Sequence, residues 1–482
     1  MRGGIVAGKH SKVAQPTAAE RRHAAPSPIV ALVASLLCLL VQELGILIPL
    51  GVAYCLGQSE LLQTLQALFP AAHIGAIPAT WLGIGCSIAV ARAYGSSDED
   101  ALSDSVHTAV ALALIFGFPA SVLTTLVAQP TLSLFSIPPQ LAADALDFWY
   151  LSCGASFVSV SFNVLLGIQR AVGRNLLSLV FSLAAALTSA VLSVELTGHF
   201  GMGAKGAALA LAAGQLVGGA LCLVMLTRSR RPYRLRLARV RVVWKQPSNI
   251  LACSASLVAQ ALAIAAFQLL SPTFIAGFGE EMCAAWDLVH WLELALVVVA
   301  NAFAITTATF VARAFGSSSY DEMRRVSRRL LLSGIVVIGV LSASACLLAR
   351  RLGELLALSA SVTQLVALMA PLTLPFMLLY TIVVVIGAAL RGADVNMQPT
   401  VASVVGLSMA PLIWLVLALP RLHTIVTVAL ARPLTWGVTA AIMLVYYRHG
   451  RWLTLAMRKA RKERNSRSSR RRRRSRNARH RA

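Results

Sequence analysis

One stretch of eight residues occurs twice in this chain. Val90-Ala-Arg-Ala-Tyr-Gly-Ser-Ser97 returns 221 residues later as Val311-Ala-Arg-Ala-Phe-Gly-Ser-Ser318. Seven positions are identical, and the eighth keeps an aromatic ring. Arg170 and Asn175 match Arg391 and Asn396 at the same offset. Both motifs sit where a long apolar run meets a short basic loop. The chain is therefore constrained to two similar halves, and the apolar runs place those halves in a bilayer. Paired repeats in a membrane point to transport.

Composition supports the membrane. Charged residues make up 13% of the chain, against about 25% in soluble domains. Most apolar runs are long enough to cross about 30 Å of hydrocarbon as helices. A barrel would need alternating strands, and residues 206–226 and 330–348 do not alternate. The fold expected is all-α and polytopic, with twelve transmembrane helices at 28–56, 62–94, 104–127, 141–169, 176–197, 205–227, 248–278, 284–315, 330–349, 363–390, 398–419 and 425–447. Prolines interrupt several of them (Pro49, Pro78, Pro272, Pro371, Pro375, Pro411 and Pro433), as hinges or as packing features. The eight cysteines are scattered singly, so neither a disulfide framework nor a zinc site is expected.

Lys and Arg set the orientation. With both termini inside, the inner loops and adjoining span ends hold 17 of them and the outer side four (Lys205, Arg350, Arg351, Arg421). That is the positive-inside pattern, with cytoplasmic termini. The expected organisation is an N-terminal segment 1–27, a first lobe 28–227, a basic linker 228–247, a second lobe 248–447 and a polybasic tail 448–482. Six spans per lobe give both the same orientation, related by an axis along the membrane normal, as two six-helix pseudo-symmetric lobes around a central cavity. The tail contributes +15 of the +24 formal charge. It reads as a segment held to anionic lipid, with Ser466, Ser468, Ser469 and Ser475 as sites where phosphorylation would release it. The first 27 residues read as a transit segment or a positive-inside anchor.

The motifs resemble the multidrug and toxic compound extrusion (MATE) transporters of the MOP flippase superfamily. Residues 90–95 and 311–316 are similar to a span-end signature of that family. Residues 200–210 resemble the start of its sixth span. Leu166-Gly-Ile-Gln-Arg-Ala-Val-Gly173 resembles a further segment, with Arg391-Gly392 as its second-half version. The resemblance covers about residues 28–447. It implies a two-lobed exporter that exchanges H⁺ or Na⁺ for organic, often cationic, substrates. Acidic positions of the family are missing: they fall near Pro49 and Ala265, and span 363–390 holds no acid. Coupling would need other residues.

An ionisable group inside a bilayer is costly and therefore a candidate site. Glu43, beside Gln42, lies mid-span in the first helix. Asp287, His290 and Glu293 follow one another at three-residue steps in the eighth, close enough to interact. A carboxylate beside an imidazole suits proton transfer, although Asp287 also reads as a solvated outer-rim group and His290 as a packing residue. Glu43 and Glu293 are expected to face the cavity and bind the coupling cation or a cationic substrate; retention of the proton in an interhelical hydrogen bond is the alternative. Arg432, in the twelfth span, would pair with an acid, hold an anion, or mark a boundary shifted by a few residues. Asn163, Gln260, Gln268 and Asn301 line the cavity or bond helix to helix, and Gly214-x-x-x-Gly218 marks close packing.

The reading is a secondary active exporter, an alternating-access antiporter without catalytic, metal or cofactor sites beyond the coupling ion H⁺ or Na⁺. Its partners are a small organic substrate and the bilayer, with no nucleic acid, and it works as a monomer. A superfamily flippase for a lipid-linked substrate would need more basic residues in its cavity than Arg432 and Lys205 provide. A non-transporting scaffold is the other alternative. No nucleotide-binding loop occurs, which argues against ATP-driven transport by this chain alone.

Overall fold

The structure, a computed structural model, describes residues 27–458 except 127, 130–138, 241, 243–246, 357 and 423, together with Arg461. The N-terminal segment and most of the polybasic tail lie outside the described residues.

Twelve helical spans follow one another. In the first half they are α1 (Pro28–Cys55), α2 (Ser59–Gly95), α3 (Glu99–Leu126), α4 (Ala142–Gly154 and Ser156–Ala171), α5 (Asn175–Ser193) and α6 (Gly203–Arg228). The second half holds α7 (Pro247–Ile275), α8 (Glu280–Gly316), α9 (Tyr320–Leu355), α10 (Ala360–Thr373 and Met377–Gly392), α11 (Met397–Val404 and Ala410–Leu422) and α12 (Ile425–His449). Among the described residues nine helices are long and apolar enough to cross a membrane, and α4 makes a tenth as a pair bent by 45°. The protein is an integral, multi-pass membrane protein.

Breaks in the spans have local causes. The bend in α4 falls at Ala155. α10 is interrupted by a 3₁₀ turn, Leu374–Phe376, holding Pro375. Pro375 has no N–H to give the helical ladder, and its ring opposes a continuous α-helix. Pro371 lies inside the first piece of α10. α11 passes through a π-turn at Val405–Met409, where Gly406 packs against Thr439 of α12.

Burial distinguishes core helices from lipid-facing ones. The apolar window of α9 is only 22% buried, whereas those of α8 and α10 are 61% and 67% buried. An apolar helix left that exposed is stable only against hydrocarbon. Large apolar clusters form each lobe, and the first reaches across to Val298, Ala302, Ile305 and Ala308 of α8. Small residues bring backbones together. A Cβ at Gly214 would stand 2.4 Å from the Ala185 carbonyl oxygen, and one at Gly218 2.8 Å from that of Phe181, so this pair seats α6 on α5 as its spacing suggests.

The sequence repeat is a structural repeat down to single torsions. Ser97 and Ser318, 221 positions apart, are both left-handed, with φ 54° and 58°. Gly173 and Asp394 are related in the same way, with φ 88° and 67°. The Asn175 side chain donates to Ser35 Oγ at 3.1 Å. In the second half Ser256, the mate of Ser35, donates to the carbonyl of Asn396, the mate of Asn175.

The two copies of the motif meet. α2 and α8 cross at their basic ends, glycine against backbone: a Cβ on Gly95 would stand 2.1 Å from the Arg313 carbonyl oxygen, and one on Gly316 2.1 Å from that of Arg92. Each arginine then reaches into the other half. Arg92 lies 5.1 Å over the Phe315 ring and pairs with Asp394 at 3.1 Å. Arg313 lies 5.7 Å over the Tyr94 ring and donates to the carbonyls of Ala171 and Arg170, at the C-terminus of α4, at 3.0 and 2.8 Å. These arginines, read from sequence as charges at loop margins, are buried in the seam between the lobes.

A methyl group forced into such a crossing costs about 1–3 kcal/mol, which lowers the closed-to-open ratio roughly 5- to 160-fold. Gly316→Ala should therefore raise the thiol-labelling rate of Cys253, which is buried beside this end. Gly51→Ala, where nothing lies within 4 Å, should leave it unchanged. Equal labelling in both variants would show that the crossing does not hold the end shut.

Candidate functional site

Each half holds a cavity among the described residues, and the chemistry of the two differs. The first is walled by α3, α4, α6, the C-terminal part of α1 and the N-terminal half of α2, with Trp149, Phe148, Ser156, Ser159 and Gln215 among its lining. No Asp, Glu, Lys, Arg or His lines it among the described residues. The second lies between α2 and the second lobe, with about 1360 Å³ of empty space counting its mouth. Its apolar and aromatic wall comes from Trp81, Ile84 and Ile88 of α2, Phe267 of α7, Tyr380 of α10 and Trp436 of α12. Its ionisable lining is His290 and Glu293 on α8, Tyr380 and Arg391 on α10, and Arg432 on α12.

Glu293 is 3% exposed and Arg432 6%. The carboxylate Oε2 is in direct contact with Arg432 Nη1, joining α8 to α12. His290, one turn earlier on α8, places Nδ1 3.8 Å from the same oxygen and 3.4 Å from Arg432 Nη1. The guanidinium is held over the Trp286 ring at 4.6 Å and the Phe267 ring at 5.7 Å. Rings give a cation a favourable face without requiring a second acid. The other carboxylate oxygen, Oε1, is buried with no hydrogen-bond partner among the described residues. An unsatisfied buried carboxylate oxygen is costly; a proton or a donor group on a bound molecule would relieve it.

The second cation of the cavity is Arg391, 2% exposed. Its Nε donates to Ser256 Oγ at 3.0 Å and its Nη2 to Gln260 Oε1 at 2.6 Å, both on α7. Both partners are neutral. Among the described residues no carboxylate lies in ion-pair range of it. Gln260 and Phe267 are seven residues apart on α7, so the two arginines are separated by about 10 Å along that helix.

The sequence candidates separate accordingly. His290 and Glu293 come together with Arg432, whose depth is real rather than a boundary error. Asn301 lines the same cavity and interacts with the Tyr380 hydroxyl. Asp287 is exposed and does not line it. Two three-residue steps leave Asp287 about 120° around the helix from Glu293, so the stripe turns away from the cavity. Glu43 and Gln42 are half-buried on α1 and line neither cavity, so Glu43 and Glu293 do not share one. Asn163 donates back to the Ser159 carbonyl at 3.0 Å. The side chain of Gln268 lies outside the described residues. Lys205 pairs with Asp147 at a half-exposed position, at 3.1 Å. Arg391 was legible only as half of a repeat motif; its burial in the cavity is what the sequence did not signal.

A helical membrane protein of two repeated lobes, with a polar cavity at their seam, is built as a transporter. The MatE family model matches residues 33–194 and 256–415, one match per half, and the chain belongs to that family. It is 21% identical over 336 residues to the probable multidrug resistance protein YoeA of Bacillus subtilis (strain 168), covering 67% of this chain and 71% of that one. Among solved structures it is similar to a MOP superfamily transporter of Pyrococcus furiosus described as having a binding pocket of reverse polarity (TM-score 0.80, 19% identity, 87% of this chain and 94% of that one). It is also similar to a multidrug resistance MATE family transporter in an outward-facing conformation (TM-score 0.78, 20% identity, 90% and 96%). These likenesses establish the twelve-helix, two-lobed fold.

Breaking a buried ion pair from one side costs about 3–5 kcal/mol, whereas replacing both partners is far milder. Glu293→Gln should therefore lower the thermal midpoint in detergent, and Glu293→Gln with Arg432→Met should regain most of the loss. Asp287→Asn, at an exposed position, should change stability by less than about 0.5 kcal/mol. A double variant no more stable than the single one would show that the pair does not act as a unit.

Proposed function

We propose that the protein is a secondary active transporter of amphipathic organic compounds, with the second-lobe cavity as its transport site and H⁺ as its coupling ion at Glu293. The observation that carries this reading is the unsatisfied Oε1 of a carboxylate already paired through Oε2. A proton needs one oxygen, and this oxygen is available. A sodium ion needs several oxygen ligands, and Glu293 is the only carboxylate lining the cavity among the described residues. The aromatic wall suits an apolar ring system. Family membership supports transport by alternating access. The name of the Bacillus relative, a probable multidrug resistance protein, supports organic compounds as the substrate class.

Orientation follows the excess of Lys and Arg on the inner loops, which puts both termini and the motif crossing on the cytoplasmic side. The lobes are then closed toward the cytoplasm. Protonation of Glu293 removes the charge that ties Arg432 to α8, so it loosens α12 from α8 at the cavity. That change is the step by which proton occupancy reaches the helices.

Proteoliposomes holding the full chain would be loaded with fluorescent aromatic compounds of either charge, under a proton gradient and then a sodium gradient. Movement should follow the proton gradient, ignore sodium, and fall at least about tenfold in Glu293→Gln, the scale on which loss of an acid–base group acts. A response to sodium, or full gradient dependence retained in Glu293→Gln, would overturn the coupling assignment.

A further inference from the structure

The cavity carries more positive charge than negative. Among its described lining residues Glu293 is balanced by Arg432, and Arg391 has no acid. A buried guanidinium without a counter-ion is costly in a low-dielectric site. Neutral hydrogen bonds from Ser256 and Gln260 offset only part of that cost. The side chain lines an open cavity, with Nη1 beside Gly387 of its own helix. The counter-charge that the described lining residues do not give Arg391 is one that a bound molecule would bring.

We propose that Arg391 is the anchoring cation of a substrate site, and that the substrate is an amphipathic organic anion, an aromatic body bearing a carboxylate or similar oxyanion. The inference rests on the reading that this cavity is the transport site. A guanidinium presents N–H groups in a planar fork that matches a carboxylate. The apolar body would lie along Trp81, Ile84 and Ile88, toward Tyr380 and Trp436. A cationic guest fits poorly. It would enter beside an unbalanced cation, and at Glu293 it would have to share one carboxylate with the guanidinium of Arg432.

Charge also fixes the sign of coupling. The groups that face Glu293 across the cavity are His290 on its own helix, Tyr380 and Arg391 on α10, and Arg432 on α12; the described lining residues of α2 and α7 carry no Asp, Glu, Lys, Arg or His. Protonating Glu293 leaves Arg432 without its counter-charge and makes the cavity more positive by one unit. Anion binding then becomes more favourable, and by linkage the bound anion favours the proton. Proton and anion are therefore carried in the same direction. A cationic substrate would oppose the proton and give the exchange implied by family resemblance.

The test uses matched pairs of aromatic carboxylates and ammonium compounds with the same rings, such as 2-naphthoate with 2-naphthylmethylammonium and the corresponding anthracene pair. The full chain in proteoliposomes would be assayed for their movement and for accompanying protons with an internal pH indicator. The carboxylates should move, each with protons in the same direction. Arg391→Gln should cut that movement at least tenfold, mainly by raising KM, and Arg391→Lys should keep a measurable part of it. Ser256→Ala removes a brace without touching the charge and should act weakly. Preference for the ammonium members, protons moving against the anion, or equal loss in Ser256→Ala and Arg391→Gln would overturn the anion site while leaving the transport reading standing. Movement of neither member of any pair under a proton gradient would instead sink the transport reading, and this inference with it.

Discussion

Two glycines without side chains set the closed end of this molecule. At the crossing of α2 and α8 the backbones are so close that a methyl on Gly95 or Gly316 would stand 2.1 Å from a carbonyl oxygen of the other helix. Only at that approach can Arg92 reach Phe315 and Asp394, and Arg313 reach Tyr94 and the end of α4. The contact is reciprocal because the motif is repeated. Each half supplies the arginine that the other half receives, so the repeat serves as its own partner across the seam.

The symmetry is broken where chemistry is required. At the repeat offset, Glu293 corresponds to Ala72, Arg432 to Leu211 and His290 to Phe69. Leu211 lines the first-lobe cavity in the place where Arg432 lines the second. Both lobes thus keep the same scaffold and a cavity, but of these two cavities only the second is lined by Asp, Glu, Lys, Arg or His among the described residues. At the seam, the left-handed turn held by Gly173 in one half is held by Asp394 in the other. That exchange supplies the carboxylate that Arg92 pairs with. Arg313 has a C-terminal helix end instead, whose carbonyls carry partial negative charge.

Much of this was legible in the chain, for identifiable reasons. Helical spans declare themselves by length and apolarity, and each of the twelve expected segments overlaps an observed one. The repeat declared the two halves. Glu293 and His290 were visible because a charge in an apolar run is conspicuous. Their partner was visible as a charge but not as a partner: Arg432 is 139 residues from Glu293, and nothing local in the sequence joins α8 to α12. Arg391 was hidden by the rule that located it. Arginines at span ends are expected at the membrane surface, so its residue type and position gave no sign that the side chain would point inward to Ser256 and Gln260. The stripe from Asp287 to Glu293 was overread because steps of three residues lag the helical period. Asp287 turns out of the site for that reason alone.

The same helices that wall the cavity make the crossing, and this gives the cavity leverage over the closed end. α8 carries His290 and Glu293 near one end and Gly316 at the other, 23 residues further on, a distance of about 35 Å along an unbroken helix. α2 lines the cavity with Trp81, Ile84 and Ile88 and ends at Gly95. A rigid rod tilted at one end by the loss of the Arg432 tie must shift at the other. There the tolerance is only that of backbone packed on backbone, where a few tenths of an ångström separate contact from overlap. Under the proposed coupling the crossing would be either shut or parted rather than graded. A change of charge at Glu293 would then need only to alter the tilt of α8 to select between them.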